Sequence, residues 1–437
     1  YKYFLCIIYI YIEMSSNLQT KIINTDNAIK YAGSVGAHSH SAYANSGGRT
    51  SGAGKVEYIQ EQSVTQNFNQ TQEVKFRIGV SQGKRNIETC SLVFEMTAGT
   101  RAAGALKFIE GAAVKLVEWI QFKQKGTEIE KITQHQIYNK LKLSNTEESW
   151  NIIKYQLGIS DGIVGNIAAN TNAPKDAKAV QTFVLELNRF VDFIGMQVFP
   201  IWLLNDSELE INVKLTDSFA NLCDVAPDVA PTISTAYIVN EYVEIPQSLI
   251  EQLENPERPV YLYNLSPKYV THALALGATS HQVRVPELKD ANVVYIDFYI
   301  VQDSDLARLP FNYRPVTSYD FKSKNLELAN NSYPITDTFY RSIVLSDQNP
   351  CNIREALKSN NYQIAYTSDM DSELRHKSRV VNSFLQSHHG ARFFSENDAT
   401  LTLNFSAIDG ASTLFIDFWS YEPLKIFNQK ILRSGEL

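Results

Sequence analysis

The sequence predicts an all-β chain folded as two β-sandwiches in tandem. Three observations predict it. Apolar and polar residues alternate with period two through many short segments, as Val74, Phe76, Ile78 and Val80 do in EVKFRIGV. Tyr and Phe, at 23 and 22 residues, far outnumber the 4 Met and 4 Trp, which favours strands over helices. The strand-like segments fall into two halves of similar size on either side of CDVAPDVAPT, at the short, regular spacing of sandwiches rather than of βαβ units.

A chain of 437 residues, 44% of them hydrophobic, is long enough for two large cores. The net charge of −7 argues against a surface given over to nucleic acid, though not against a local basic arm. Cys6, Cys90, Cys223 and Cys351 lie far apart with no CxxC, so they read as reduced and mostly buried thiols.

Residues 1–13, YKYFLCIIYIYIE, are apolar but too short to span a bilayer. Met14 opens MSSNLQTK, which resembles an ordinary N-terminus, so 1–13 are expected to be upstream sequence translated with it. Residues 14–55 are rich in Ser, Gly, Asn and Ala and cannot form a core, which predicts a flexible arm. Lys21, Lys30, Arg49 and Lys55 against Asp26 make that arm slightly basic.

Residues 56–222 are expected to form the first sandwich. AVKLVEWIQFKQKGTEIEKI reads as strand, Lys-Gly turn and strand, and HQIYNKLKL as a helical stretch after it. QTFVLELNRFVDFI and SELEINVKL return to strands. Residues 223–232 carry Pro227 and Pro231 between apolar runs and are expected to be the linker. Residues 233–425 are expected to form the second sandwich, with strands in ISTAYIVNEYVEI and NVVYIDFYIV and a short helix in PQSLIEQLE. Near its end, Leu401, Leu403 and Phe405 share one face, and so do Leu414, Ile416 and Phe418 beyond Asp409-Gly410. That pattern predicts a β-hairpin. Residues 426–437 are left as a C-terminal tail.

Motifs for chemistry are sparse. The pairs His38/His40 and His388/His389 lack a third ligand at zinc spacing and read as solvated histidines. GGRTSGAGKV departs from a phosphate loop, because Arg49 stands where the first Gly is required and Val56 where Ser or Thr is. There is no H-E-x-x-H. Tyr261 and Tyr263 could contact sugars or bases, but in so tyrosine-rich a chain they read as core or subunit contacts. No catalytic, cofactor-binding or metal-ligating residue is assigned, and no cofactor is expected.

The order of several segments carries a family resemblance. Asn404, Phe405, Ser406, Ile408 and Asp409 resemble a stretch near the C-terminus of the double jelly-roll major capsid proteins of eukaryotic DNA viruses. VEWIQFKQKGTEIEKITQHQIYNKLKL resembles the early hairpin of that family's first jelly roll, and FPIWLLNDSELEINVKL its end. TAYIVNEYVEIPQSLIEQL resembles the opening of the second, and VPELKDANVVYIDFYIVQ the strand that follows. The set spans 56–425. It lacks the double Gly of the giant-virus hairpin and a Gln-Pro-Ser-Gly lead-in, so a large algal or giant virus, a virophage and a Polinton-like element all remain open as the branch.

The resemblance implies two tandem jelly rolls with short helices in the long loops, in a non-enzymatic shell protein located in the virion. It implies a homotrimer forming a pseudo-hexagonal capsomer. The implied partners are neighbouring capsomers, penton and minor capsid proteins, and an internal membrane or the genome through the N-terminal arm. Aromatic segments such as FNYRPVTSYDF and NNSYPITDTFY are expected as loops at subunit contacts or the tower top. From the residues alone, a carbohydrate-active or carbohydrate-binding tandem sandwich is the alternative. It would need convergent carboxylates in a cleft or a row of exposed aromatics.

Overall fold

The computed structural model describes residues 56–65, 67–78, 85–97, 99–102, 106–109, 111–143, 153, 157, 171–172, 180–195, 199–204, 208–244, 250, 259–262, 264–285, 292–306, 313–322, 333–334, 362–365, 391–392 and 400–433. The N-terminal arm, both His pairs, the phosphate-loop-like segment except Val56, and Tyr263 lie outside them.

Eight strands build the first sandwich: β1 (Val56–Gln62), β2 (Glu73–Ile78), β3 (Arg85–Thr97), β4 (Val117–Gln124), β5 (Thr127–Thr133), β6 (Val180–Glu186), β7 (Leu209–Leu215) and β8 (Thr232–Glu244). One sheet has the order β1-β8-β3-β6 and the other β2-β7-β4-β5, all antiparallel. The alternation does what it predicts. In β2, Val74, Phe76 and Ile78 are buried while Glu73, Lys75 and Arg77 are exposed. Core aromatics meet edge to face, Phe76 of β2 with Phe94 of β3 across the layers at 6.5 Å, and Phe122 of β4 with Phe193 of the short helix Asp192–Gly195 at 5.3 Å. Lys125 and Gly126, both at positive φ, close β4 onto β5 in the two-residue turn whose twist suits a hairpin.

The second sandwich repeats the order. Its strands are β9 (Leu265–Leu274), β10 (Ser280–Arg284), β11 (Asn292–Gln302), β12 (Val316–Lys322), β13 (Tyr333–Pro334), β14 (Tyr362–Ala365), β15 (Thr400–Phe405) and β16 (Ser412–Tyr421). One sheet runs β9-β16-β11, with β14 on the far edge of β11 beside the short strands Tyr313–Arg314 and Ala391–Arg392. The other runs β10-β15-β12-β13. First, last, third and sixth strands in one sheet, second, seventh, fourth and fifth in the other: each half is a jelly roll.

Four expectations are corrected. The Pro227/Pro231 segment does not divide the sandwiches, because β8 follows it and pairs with β1 and β3. The prolines sit in the loop between the seventh and eighth strands, and the sheets change over between Glu244 and Leu265. The strands around Asp409-Gly410 are not a hairpin. β15 pairs with β10 and β12, and β16 with β9 and β11, so they lie in opposite sheets joined by an arch. Leu401, Leu403, Leu414 and Ile416 are all fully buried, as the alternation requires. Alternation reports which face is buried, not which strand is the hydrogen-bonded neighbour. Third, FNYRPVTSYDF is not a loop. Most of it forms Tyr313–Arg314 and β12, and Tyr319 is buried.

The fourth correction concerns the tail. Leu424–Phe427 and Lys430–Arg433 form a hairpin whose turn residues Asn428 and Gln429 both have positive φ. Leu424–Phe427 also pairs with Val260–Leu262. Val260, Leu262, Leu424, Ile426 and Ile431 belong to the core of the first sandwich, so the chain's end returns to its beginning. Gln124 fixes that return with both amide atoms. Its Nε2 donates to Gln429 O at 2.9 Å, and its Oε1 accepts from Ile431 N at 2.7 Å.

Candidate functional site

Among the described residues no group of three His, Cys, Asp or Glu side chains could hold a metal ion, and no helix is long and apolar enough to cross a membrane. Tyr261 is half-buried in the Val260–Leu262 strand, opposite Lys425. The chemistry concentrates where the two sandwiches meet.

That seam exists because β11 and β16 are buried on both faces. Leu414, Ile416 and Phe418 face the second core, as do Phe298 and Ile300. The opposite face carries Phe415, Asp417 and Trp419 from β16 and Tyr299 and Val301 from β11. It packs on the helix Gln134–Leu143, which follows β5. His135 stacks on Phe415 at 4.7 Å, and Phe415 on Tyr299 at 5.2 Å. Lys140 Nζ lies 4.3 Å from the centre of the Trp419 ring.

Polar groups are set into this apolar seam. Gln136 Nε2 donates to Asp417 Oδ1 at 3.2 Å, and Tyr299 OH to Asp417 Oδ2 at 2.9 Å. Lys140 Nζ meets Asp192 Oδ1 at 2.8 Å, with both side chains buried. Asp192 also accepts from the backbone N–H of Leu265, the first residue of β9. One residue earlier, Asn264 Nδ2 donates to Glu130 Oε2 at 2.7 Å. Arg433 Nη2 donates to Ile129 O at 3.0 Å, and Lys115 Nζ to Leu306 O at 3.3 Å.

Burial dominates the electrostatics. It pushes the Asp417 carboxyl up to about 7, against the two hydrogen bonds it accepts. Glu130 is pushed up to about 8 by burial, which outweighs Asn264 and the nearby cations. Asp192 is raised by burial, with the Lys140 ammonium opposing. Burial lowers His135 to about 3, so its ring is neutral and stacks as an apolar plate. Asp297 lies opposite Asp417 in register, and the two are 2% and 1% exposed. This pair of carboxylates sits inside the seam, not in a cleft open to a sugar.

None of these residues was singled out from sequence. A signal was present, since TLFIDFW is a nearly continuous apolar run, the mark of a strand covered on both sides.

No family model matches the chain, and no curated protein does. Among solved structures the chain is similar to the PBCV-1 virus capsid, with 12% identity over 87% of this chain and 96% of that chain, at a TM-score of 0.60. It is similar to the Faustovirus major capsid protein, with 8% identity over 86% and 90% of the two chains and a TM-score of 0.54. The Sputnik virophage structure gives 11% identity, 87% and 88% coverage, and a TM-score of 0.52. At such identities the likeness is one of fold. It takes in both sandwiches and nearly the whole of each chain.

Proposed function

We propose that the chain is a major capsid protein, three copies of which close into a trimeric capsomer of an icosahedral DNA virus shell. The observation that carries this reading is the eight-strand order repeated twice in one chain. It is matched over 87% of this chain and 96% of a viral capsid chain. A shell subunit needs stiff sandwiches, a fixed angle between them and no catalytic centre. The buried seam supplies the fixed angle. Repeating one heterologous contact around three copies closes a ring and prevents fibre growth. Such obligate interfaces bury more than about 2,000 Å². The partners that follow are further capsomers, penton and minor capsid proteins, and an internal membrane or the genome beneath the N-terminal arm.

Light scattering on the purified chain, with negative-stain imaging, tests the reading. A trimer that persists on dilution, seen as a pseudo-hexagonal ring, is the expected result. A monodisperse monomer at micromolar concentration removes it.

A further inference from the structure

We infer that Glu130 is a proton-operated latch between the two sandwiches, neutral in the closed molecule and releasing the start of β9 and the C-terminal hairpin when it ionises. The inference concerns this chain's own seam and does not depend on the capsid reading.

Glu130 lies on β5 of the first sandwich and is 1% exposed. Two segments, one from beyond Glu244 and the other the C-terminal hairpin, bring three residues to it or to its neighbours. Asn264, just before β9, donates to its Oε2. Leu265 N–H bonds the adjacent Asp192. Arg433 bonds the carbonyl of Ile129, the next residue along the strand. Glu130 therefore sits where the entry to the second sandwich and the returning hairpin are both tied down.

The hydrogen bonds point to the neutral acid. Glu130 Oε1 and Asn264 Oδ1 are both buried, and neither has a hydrogen-bond partner among the described residues. Both are acceptors on an ionised pair, so the pair lacks a donor. A proton on the Glu130 carboxyl supplies one, as an acid facing an amide can. A buried carboxylate left without that proton keeps a desolvated charge.

The charged groups around it do not cancel that charge. Lys140 from the Gln134–Leu143 helix and Arg433 from the hairpin favour ionisation, and Asp192 from the helix Asp192–Gly195 opposes it. Lys140 is already committed to Asp192 at 2.8 Å and to the Trp419 ring. Arg433 is committed to a backbone carbonyl. Burial prevails and holds the proton up to about pH 8.

The sign follows by linkage. The closed seam binds a proton that the opened, solvated carboxyl releases near its ordinary value of about 4.3. Closing is therefore favoured at low pH, and the advantage is lost as pH rises through about 8. The opening equilibrium then increases by up to about tenfold per pH unit between those limits.

Hydrogen–deuterium exchange on the full chain, from pH 6 to 9 and corrected for the intrinsic chemical rate, tests this. Peptides covering 259–274 and 424–433 are expected to lose protection as pH rises, while β2 and β7 keep theirs. In Glu130→Gln, whose amide brings the missing donor without a charge, the same peptides are expected to lose much less protection than in the wild type, above all between pH 7 and 9, where Asp417 no longer titrates. Protection independent of pH in the wild type overturns the inference, and so does an unchanged pH response in E130Q. Failure of E130Q to fold also overturns it, since the closed site is argued to be built for a neutral group.

Discussion

Gln136 and Asp417 join the two sandwiches through one hydrogen bond of 3.2 Å, from the helix after β5 to the last strand of the second jelly roll. The acceptor is a carboxylate in an apolar seam, and its proton affinity is raised for that reason. The folded value of about 7 lies above the unfolded one, so Asp417 favours folding at low pH and disfavours it progressively as pH rises towards 7. Asp417→Asn keeps the shape and removes the titration. In urea titrations the variant and the wild type are expected to diverge between about pH 4 and pH 7 in favour of the variant, with no further divergence above. The divergence is at most about 1.4 kcal/mol per pH unit. Parallel pH profiles would contradict this.

Leu403 is fully buried on β15 between β10 and β12. Leu403→Ala is expected to cost about 2–5 kcal/mol, as truncation of a buried leucine does where the site cannot collapse. Thr402→Ala, on the opposite face of the same strand, is expected to stay within about 0.5 kcal/mol of the wild type. Equal effects at the two positions would mean that the register of β15 is wrong.

Lys140 and Asp192 form an ion pair whose side chains are 2% and 6% exposed. Removing one partner leaves the other charge buried. Lys140→Met is therefore expected to cost about 3–5 kcal/mol, while the double variant K140M/D192L recovers most of the loss. Denaturation of the two single variants and the double variant gives the coupling directly. Additive losses would show that the pair is not coupled.

The C-terminal hairpin offers changes of opposite sign. Gln124→Ala removes both bonds that hold the turn and leaves Gln429 O and Ile431 N without them, which is expected to cost about 1–3 kcal/mol. Gln429 sits at φ 63 and contributes only its backbone to the contact. Gln429→Gly relieves that conformation and is expected to raise the melting temperature, by a gain of about 0.5–1 kcal/mol. A lower melting temperature for Gln429→Gly would show that the side chain matters.

Strand faces were legible in the sequence because burial on one side leaves a period-two record. The faces of Val74, Phe76 and Ile78, and of Leu401, Leu403 and Phe405, follow from alternation alone. Pairing was not legible. A strand that crosses the core into the facing sheet writes the same alternation as one that turns back beside its neighbour, so the arch at Ser406–Ala411 read as a hairpin. Pro227 and Pro231 mark a loop, but a loop between two strands of one sheet carries the same residues as a loop between domains. The seam was hidden for another reason. Asp417, Glu130 and Lys140 are ordinary surface residue types, and only the fold removes them from water. The C-terminal hairpin left a faint trace, an Asn at the first turn position between apolar residues, in a segment short enough to be taken for a tail.

The returning hairpin has a consequence for how the molecule is made. The first sandwich's core includes Leu424, Ile426 and Ile431. A ribosome that has finished β8 has therefore not yet supplied everything that covers the first sandwich. At about 5–20 residues per second, the missing strands emerge roughly 10–40 s later. During that interval the nascent chain displays the apolar patch that Leu424, Ile426 and Ile431 later cover. Chains ending before residue 424 would keep that patch open and would be prone to aggregate.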